Sequence, residues 1–261
     1  MDVMRLYAKF FLMHVKSQMQ YKTSFIFLVF GRILIVTGEI LIIFFLFNRY
    51  NSVRGFTVED VLICAAAVVM SFSIAECFAR GFDTFPSIVR NGEFDRIMVR
   101  PRNEIFLVLS GKIELTRVGG LLTGAAILIY AINSGGIIWT ADKVFTYIMM
   151  IISGAVVFAG LFLVYAGICF FTLEGLEFMN IFTDGGRNFG QYPFAIYGDN
   201  ILKFFTFVIP HALFQYYPLL YVLGKESSKF YMFTPFLAML FLVPSYIFWR
   251  FGVRKYKSNG S

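Results

Sequence analysis

Charge is scarce in this chain: only 15% of its 261 residues are Asp, Glu, Lys or Arg, and there are two histidines and three cysteines. Each shortage excludes something. So little charge lies outside the range of a soluble globular domain. His14 and His211 stand in no ligand spacing with each other or with a cysteine, which argues against a zinc site. Cys64, Cys77 and Cys169 are odd in number and lie in apolar runs, so they read as packing residues rather than a disulfide framework. No glycine-rich cradle ends in Lys-Ser or Lys-Thr, and no Gly-x-Ser-x-Gly elbow occurs, so the familiar ATP-hydrolysing loop and the serine-hydrolase nucleophile are both missing. Gly224-Lys225 is a fragment of the former without its glycine-rich turn. Fixed-period repeats, low-complexity tracts and a removable signal peptide are not evident either.

What is plentiful is apolar and aromatic: 58% hydrophobic and 19% Phe, Trp or Tyr. The runs at 24–47, 58–79, 118–132, 144–171, 201–223 and 230–251 are each long enough, alone or extended by a turn, to cross a hydrocarbon layer of about 30 Å as a helix. The expected architecture is an all-α integral membrane protein of six transmembrane helices, one domain over residues 1–261. The alternation of a barrel is missing. Cationic residues cluster at Arg5, Lys9, Lys16 and Lys22, in the second loop at Arg80, Arg90, Arg96, Arg100, Arg102, Lys112 and Arg117, and in the tail at Arg250, Arg254, Lys255 and Lys257. The positive-inside rule then places both termini and the 80–104 loop in the cytoplasm of a cell or inner membrane. The net charge of +7 flanks apolar spans instead of forming one stripe with interleaved aromatics, which argues against nucleic acid as a partner.

Residues 1–22 place Val3, Tyr7, Phe10 and His14 on one helical face and Arg5, Lys9, Lys16 and Gln20 on the other. A helix lying in the headgroup layer and a cytoplasmic extension of the first span are both open readings. Within the first span, Arg32 and Glu39 lie on nearly the same stripe, and an intramembrane ion pair or a role in the substrate pathway would each account for charge there. The third span has an apolar start at Ile105 followed by Lys112, Glu114 and Arg117, which predicts a helix projecting beyond the membrane. After the fourth span, Glu174, Glu177, Asp184, Arg187 and Asp199 surround Gly185-Gly186 and Tyr192-Pro193 and read as a second cytoplasmic connection. The alternative makes 172–191 the fifth crossing and folds 201–223, with Pro210 and Pro218, into a re-entrant hairpin outside. His211 reads as a pore-lining or packing residue.

The charged 80–104 loop predicts two helical stubs, Phe82 to Arg90 and Glu93 to Val99, separated by the turn signal Asn91-Gly92 and stopped by Pro101. Such stubs need a packing surface. The motif Ile88-x-x-Asn91-Gly92-Glu93-Phe94-Asp95-x-x-Met98-x-Arg100-Pro101, with six spans and an amphipathic N-terminal segment, resembles the membrane subunits of ABC-2 type exporters, notably the branch encoded separately from its ATPase. Tyr192-Pro193-x-x-Ile196-Tyr197, Phe207-x-Ile209-Pro210 and Tyr217-Pro218 are similar to that branch's later half. Arg96-Ile97-Met98-Val99 stands where the family usually carries a leucine-rich run.

The resemblance implies the permease subunit of an ATP-driven exporter, with two membrane subunits, identical or paralogous, and two cytoplasmic ATPase subunits. ATP and Mg would sit on the ATPase, and this chain would hold no cofactor. The stubs would be the coupling helix, with Phe82, Phe85, Ile88 and Val89 as apolar anchors, Gly92 in the turn, and Arg90, Glu93, Asp95 and Arg96 as orienting groups. Arg32, Glu39, Pro210, His211, Tyr217 and Pro218 are candidates for the pathway or its gating. A hydrophobic or amphipathic cargo, or a membrane lipid, suits the aromatic content. Two other classes compete: a secondary transporter driven by an ion gradient, for which Glu39 is the main support, and a lipid-modifying enzyme using Glu76, Asp83 or His211.

Overall fold

The computed structural model describes residues 3–50, 52–172 and 177–257, which are helical almost throughout. In chain order the helices are α1 (Val3–Met19), α2 (Lys22–Arg49), α3 (Val58–Asp83), α4 (Phe85–Arg90), α5 (Glu93–Met98), α6 (Glu104–Gly111), α7 (Val118–Ser134), α8 (Ala141–Thr172), α9 (Asp184–Gly190), α10 (Asp199–Phe207), α11 (His211–Val222), α12 (Phe230–Met239) and α13 (Leu242–Lys255). Single 3-10 turns occupy Leu115–Arg117, Glu177–Ile181 and Phe194–Tyr197. Glu174, counted above among the charges of the 172–200 segment, lies outside the described residues.

The bundle is built around α3. A capping box starts it: Thr57 Oγ1 accepts from the Asp60 amide at 3.4 Å, and the Asp60 carboxylate accepts from the Thr57 amide at 3.2 Å. Its most apolar stretch is 89% buried, whereas that of α2 is only 17% buried. Small residues let its neighbours approach closely, as membrane helix packing requires where backbones must meet. A Cβ on Gly154 of α8 would fall 2.5 Å from Ser71 Oγ, and that hydroxyl bonds across to the Ile151 carbonyl at 3.0 Å.

Five stretches are long and apolar enough to cross a membrane: Lys22–Arg49, Val58–Arg90, Leu115–Ser134, Ala141–Thr172 and Phe230–Lys255. The expected single helix over 201–223 is not formed. It divides into α10 and α11 at Pro210, which lacks an amide hydrogen and disfavours helical geometry at the residue before it. The segment expected as a second cytoplasmic connection is not a free loop: it contains α9, which is packed against the middle of α3. Gly190 lies against Val68, and Arg187 stands 5.4 Å above the Phe72 ring. Neither predicted arrangement of 172–223 matches, since burial of Arg187 requires a distant carboxylate that local sequence does not announce.

The end of the bundle that carries α1 and α4–α6 is the near end. Residues 184–222 return the chain from there to the far end, where α3 and α8 begin. The Tyr221 hydroxyl donates to the Asp142 carboxylate there, and Lys225 Nζ pairs with Asp60 at 2.7 Å.

The projecting third helix is broken too. Between α6 and α7 the chain runs extended at Lys112, and the exposed backbone groups find partners on other elements. The Glu114 amide donates to the Cys77 carbonyl at 3.1 Å. Gln18 donates to the Ile113 carbonyl at 2.6 Å and accepts from the Leu115 amide at 3.0 Å. His14 Nε2 lies 2.9 Å from the Ser110 carbonyl. The N-terminal segment is a helix of its own and not a continuous extension of α2: Tyr21 (φ −114°, ψ 63°) interrupts the backbone between α1 and α2, and Tyr7 and Phe10 pack on Phe106 of α6.

Candidate coupling platform and buried charge network

The two predicted stubs are α4 and α5. Gly92, at φ 68°, makes the turn between them in the left-handed region that favours glycine. The stubs are bolted to the bundle by rings. Phe85 lies 5.2 Å from Phe94, 5.2 Å from Phe170 and 4.9 Å from Trp249. Phe94 in turn meets Tyr256 at 5.1 Å. This cage ties the ends of α3, α8 and α13 to both stubs. Burial, and secondarily the Asp95 carboxylate, raise the pKa of the Tyr256 phenol.

The cage corrects the assignment of the apolar anchors. Phe82 closes the last turn of α3 against Trp249, and Phe85 and Val89 are fully buried in the same core. They hold the stubs to the bundle and offer no surface to another molecule. Ile88 is half-buried in a cleft beside α6. Arg90, Glu93 and Arg96 are exposed, Asp95 is half-buried, and the outermost apolar side chains are Met98 and Val99, the latter 84% exposed. Met98 and Val99 stood in the motif without a role. Trp249, Phe170 and Tyr256 were missed, because nothing local marks a ring as belonging to a cage assembled from distant segments.

Behind the platform lies a network of charges. Glu76 of α3 accepts from Arg32 at 2.7 Å, Arg117 at 3.0 Å and Arg80 at 3.3 Å, with its side chain only 3% exposed. Arg80 also binds Asp83 at 2.7 Å and Glu114 at 3.2 Å. A carboxylate surrounded by cations inside an apolar bundle is compensated and hydrogen-bonded, which is the condition for keeping it there. Arg32 was conspicuous in the sequence as a charge in an apolar run, but that its partner is Glu76 of the next run is known only from the tertiary structure.

Arg32 and Glu39 do not pair with each other. Seven residues of helix separate them by about 10 Å, and each reaches a different segment. Glu39 accepts from Arg187 at 2.5 Å and from Gln191 at 3.0 Å. Pro210 precedes the first turn of α11. His211 is fully buried among Phe158, Phe205 and Phe214 and against Gly186, where a Cβ would fall 2.9 Å from its Nε2. Tyr217 shares a hydrogen bond with Thr206 at 3.2 Å, and Pro218 is buried inside α11. The structure therefore brings Arg32 and Glu39 into two separate charge clusters and leaves His211 as a packing group. Among the described residues no cluster of three potential metal ligands occurs.

A bundle with five helical stretches long and apolar enough to cross a membrane has the form of a multi-pass membrane protein. The family model described as ABC-2 family transporter protein matches residues 33–260, and the chain belongs to that family. Its members are generally the permeases of ABC transporters and generally partner with an ATPase subunit. The match begins within α2, so α1 precedes it. No curated protein and no solved structure matches the chain.

Proposed function

We propose that this chain is the permease subunit of an ATP-driven exporter, crossing the membrane six times with both termini in the cytoplasm. The crossing added to the five long stretches, fifth in chain order, is the composite path through α9, α10 and α11. Loop cations at the near end support this orientation. ATP and Mg belong to a separate cytoplasmic ATPase, since the sequence has no phosphate cradle. The permease works beside a second membrane subunit, identical or paralogous, and moves a hydrophobic or amphipathic cargo.

The observation that carries the reading is the aromatic cage. ATP hydrolysis in one subunit drives transport in another only if a rigid contact carries the bias between two conformations. Stubs fixed to α3, α8 and α13 by Phe85, Phe94, Phe170, Trp249 and Tyr256 supply such a contact. Met98 and Val99 form its tip, with Arg90, Glu93 and Arg96 as orienting charges. The test is copurification of an ABC-type ATPase with the tagged chain. Wild type should retain it, Met98→Asp/Val99→Asp should lose it, and equal retention by both would overturn the docking assignment.

A second reading, a secondary transporter, draws on the interrupted helices at Pro210 and at Lys112, since ion-coupled carriers place discontinuous helices at their binding sites. Uptake into liposomes driven by a proton or sodium gradient, with no ATPase present, would favour it.

A further inference from the structure

We propose that the cleft between α4, α5 and α6 is a binding site for the phosphate headgroup of an anionic phospholipid of the inner leaflet. The cleft encloses about 480 Å³. Its cations are Arg96, Arg100 and Lys112, and its apolar wall includes Ile88, Ile97 and Leu107. Among the described residues, Arg96 and Arg100 pair with no carboxylate, and Lys112 feels Asp83 only electrostatically. Glu93, also on the wall, offsets one charge and leaves the cleft net positive. This differs from the charge cluster around Glu76, where every arginine has an acid. Unpaired cations above an apolar wall complement an amphiphilic anion, one that brings a phosphate and the start of its acyl chains together.

The position of the cleft favours a lipid over an acidic protein surface. Helix α6 forms one wall, and α1 lies against α6 through Phe106 and Ser110. Helix α1 exposes Leu12 and Met13 beside Arg5, Lys9 and Lys16, the mixture of an interfacial helix. That places α6 at the leaflet boundary, with the cleft about one helix diameter away. Met98 and Val99, the apolar tip assigned to the ATPase, lie outside the cleft, while Glu93 and Arg96 border both the tip and the cleft. The inference rests on the cytoplasmic placement of this loop given above.

The experiment is lipid retention by the full-length chain in detergent, read by native mass spectrometry with phosphatidylglycerol and phosphatidylcholine as probes. Wild type should hold phosphatidylglycerol in preference to phosphatidylcholine. Arg96→Gln/Arg100→Gln should weaken that retention about thirty-fold, a factor of about five for each cation lost near an anionic group. Arg96→Lys/Arg100→Lys, which keeps the charges, should restore most of it and separates headgroup recognition from misfolding. Unchanged retention in the glutamine variant overturns the proposal. Displacement of the lipid by an equal concentration of inorganic phosphate overturns the lipid as the source and assigns a free phosphate. Loss of ATPase copurification with lipid retention intact assigns the cleft to the partner protein and also overturns it. The Met98→Asp/Val99→Asp association test is independent of lipid, so failure of the permease reading registers there and not here.

Discussion

Arg187 and Glu39 are 148 positions apart in the chain and 2.5 Å apart in the bundle. This pair fastens α9 to α2, the least buried of the long helices. The two partners are unequally enclosed: the Arg187 side chain is 6% exposed and that of Glu39 is 23% exposed. Removing one member of a buried pair is costly chiefly through the charge left behind. Glu39→Gln, which strands the more buried arginine, should therefore destabilise the purified protein more than Arg187→Gln does, by about 2 kcal/mol or more. The double variant should recover part of the loss, giving a coupling energy in a double-mutant cycle. Thermal unfolding in detergent measures all four proteins, and additive losses would show that the pair carries no coupling.

The platform makes a sharper distinction between docking and folding. Phe85 is fully buried against three other rings, so Phe85→Ala should cost about 3–5 kcal/mol. Val99 is 84% exposed, and Met98→Asp/Val99→Asp should leave thermal stability within about 0.5 kcal/mol, as surface changes do. Both variants should lose the ATPase, the first with a collapse in melting temperature and the second without one. Comparing melting temperature with copurification in the same preparations tests this.

The break between α6 and α7 depends on two side chains of α1. Gln18→Leu leaves the Ile113 carbonyl and the Leu115 amide without their partner, a loss of about 1–3 kcal/mol for buried polar groups. Hydrogen exchange should rise locally at residues 113–117 in this variant while the core of α3 stays protected. A uniform rise across the bundle would instead mean that α1 supports the whole fold.

Most long helices were legible because each carries its own evidence. Apolar runs announced α2, α3, α7 and α8, and the Asn91-Gly92 turn announced the division between α4 and α5. Breaks at Lys112 and Pro210 were harder. A buried break in a helix is tolerated only when other elements satisfy its backbone, and the groups that do so at 110–115 come from His14, Gln18 and Cys77. The same holds for the site. Glu39 and Arg32 were conspicuous as charges in grease, but their partners, Arg187 and Glu76, are tertiary facts. Phe85 and Val89 were singled out as apolar anchors, and only the positions of Trp249 and Phe170 decide that they turn inward.

Orientation is open to direct chemical measurement because Cys64, Cys77 and Cys169 are all buried. Their background reaction with a membrane-impermeant maleimide should be small, so single cysteines added at exposed positions report their side of the membrane. Val99 marks the platform end, and Ser228, between α11 and α12, marks the far end. Ser228→Cys should label in intact cells, and Val99→Cys should label only after permeabilisation. The far end is tied together by Lys225, Asp60 and Tyr221 with Asp142, so α3, α8 and α11 must share one side there. The reverse labelling would place the α4–α5 stubs outside, where no cytoplasmic ATPase reaches them, and the permease reading would fall with the orientation.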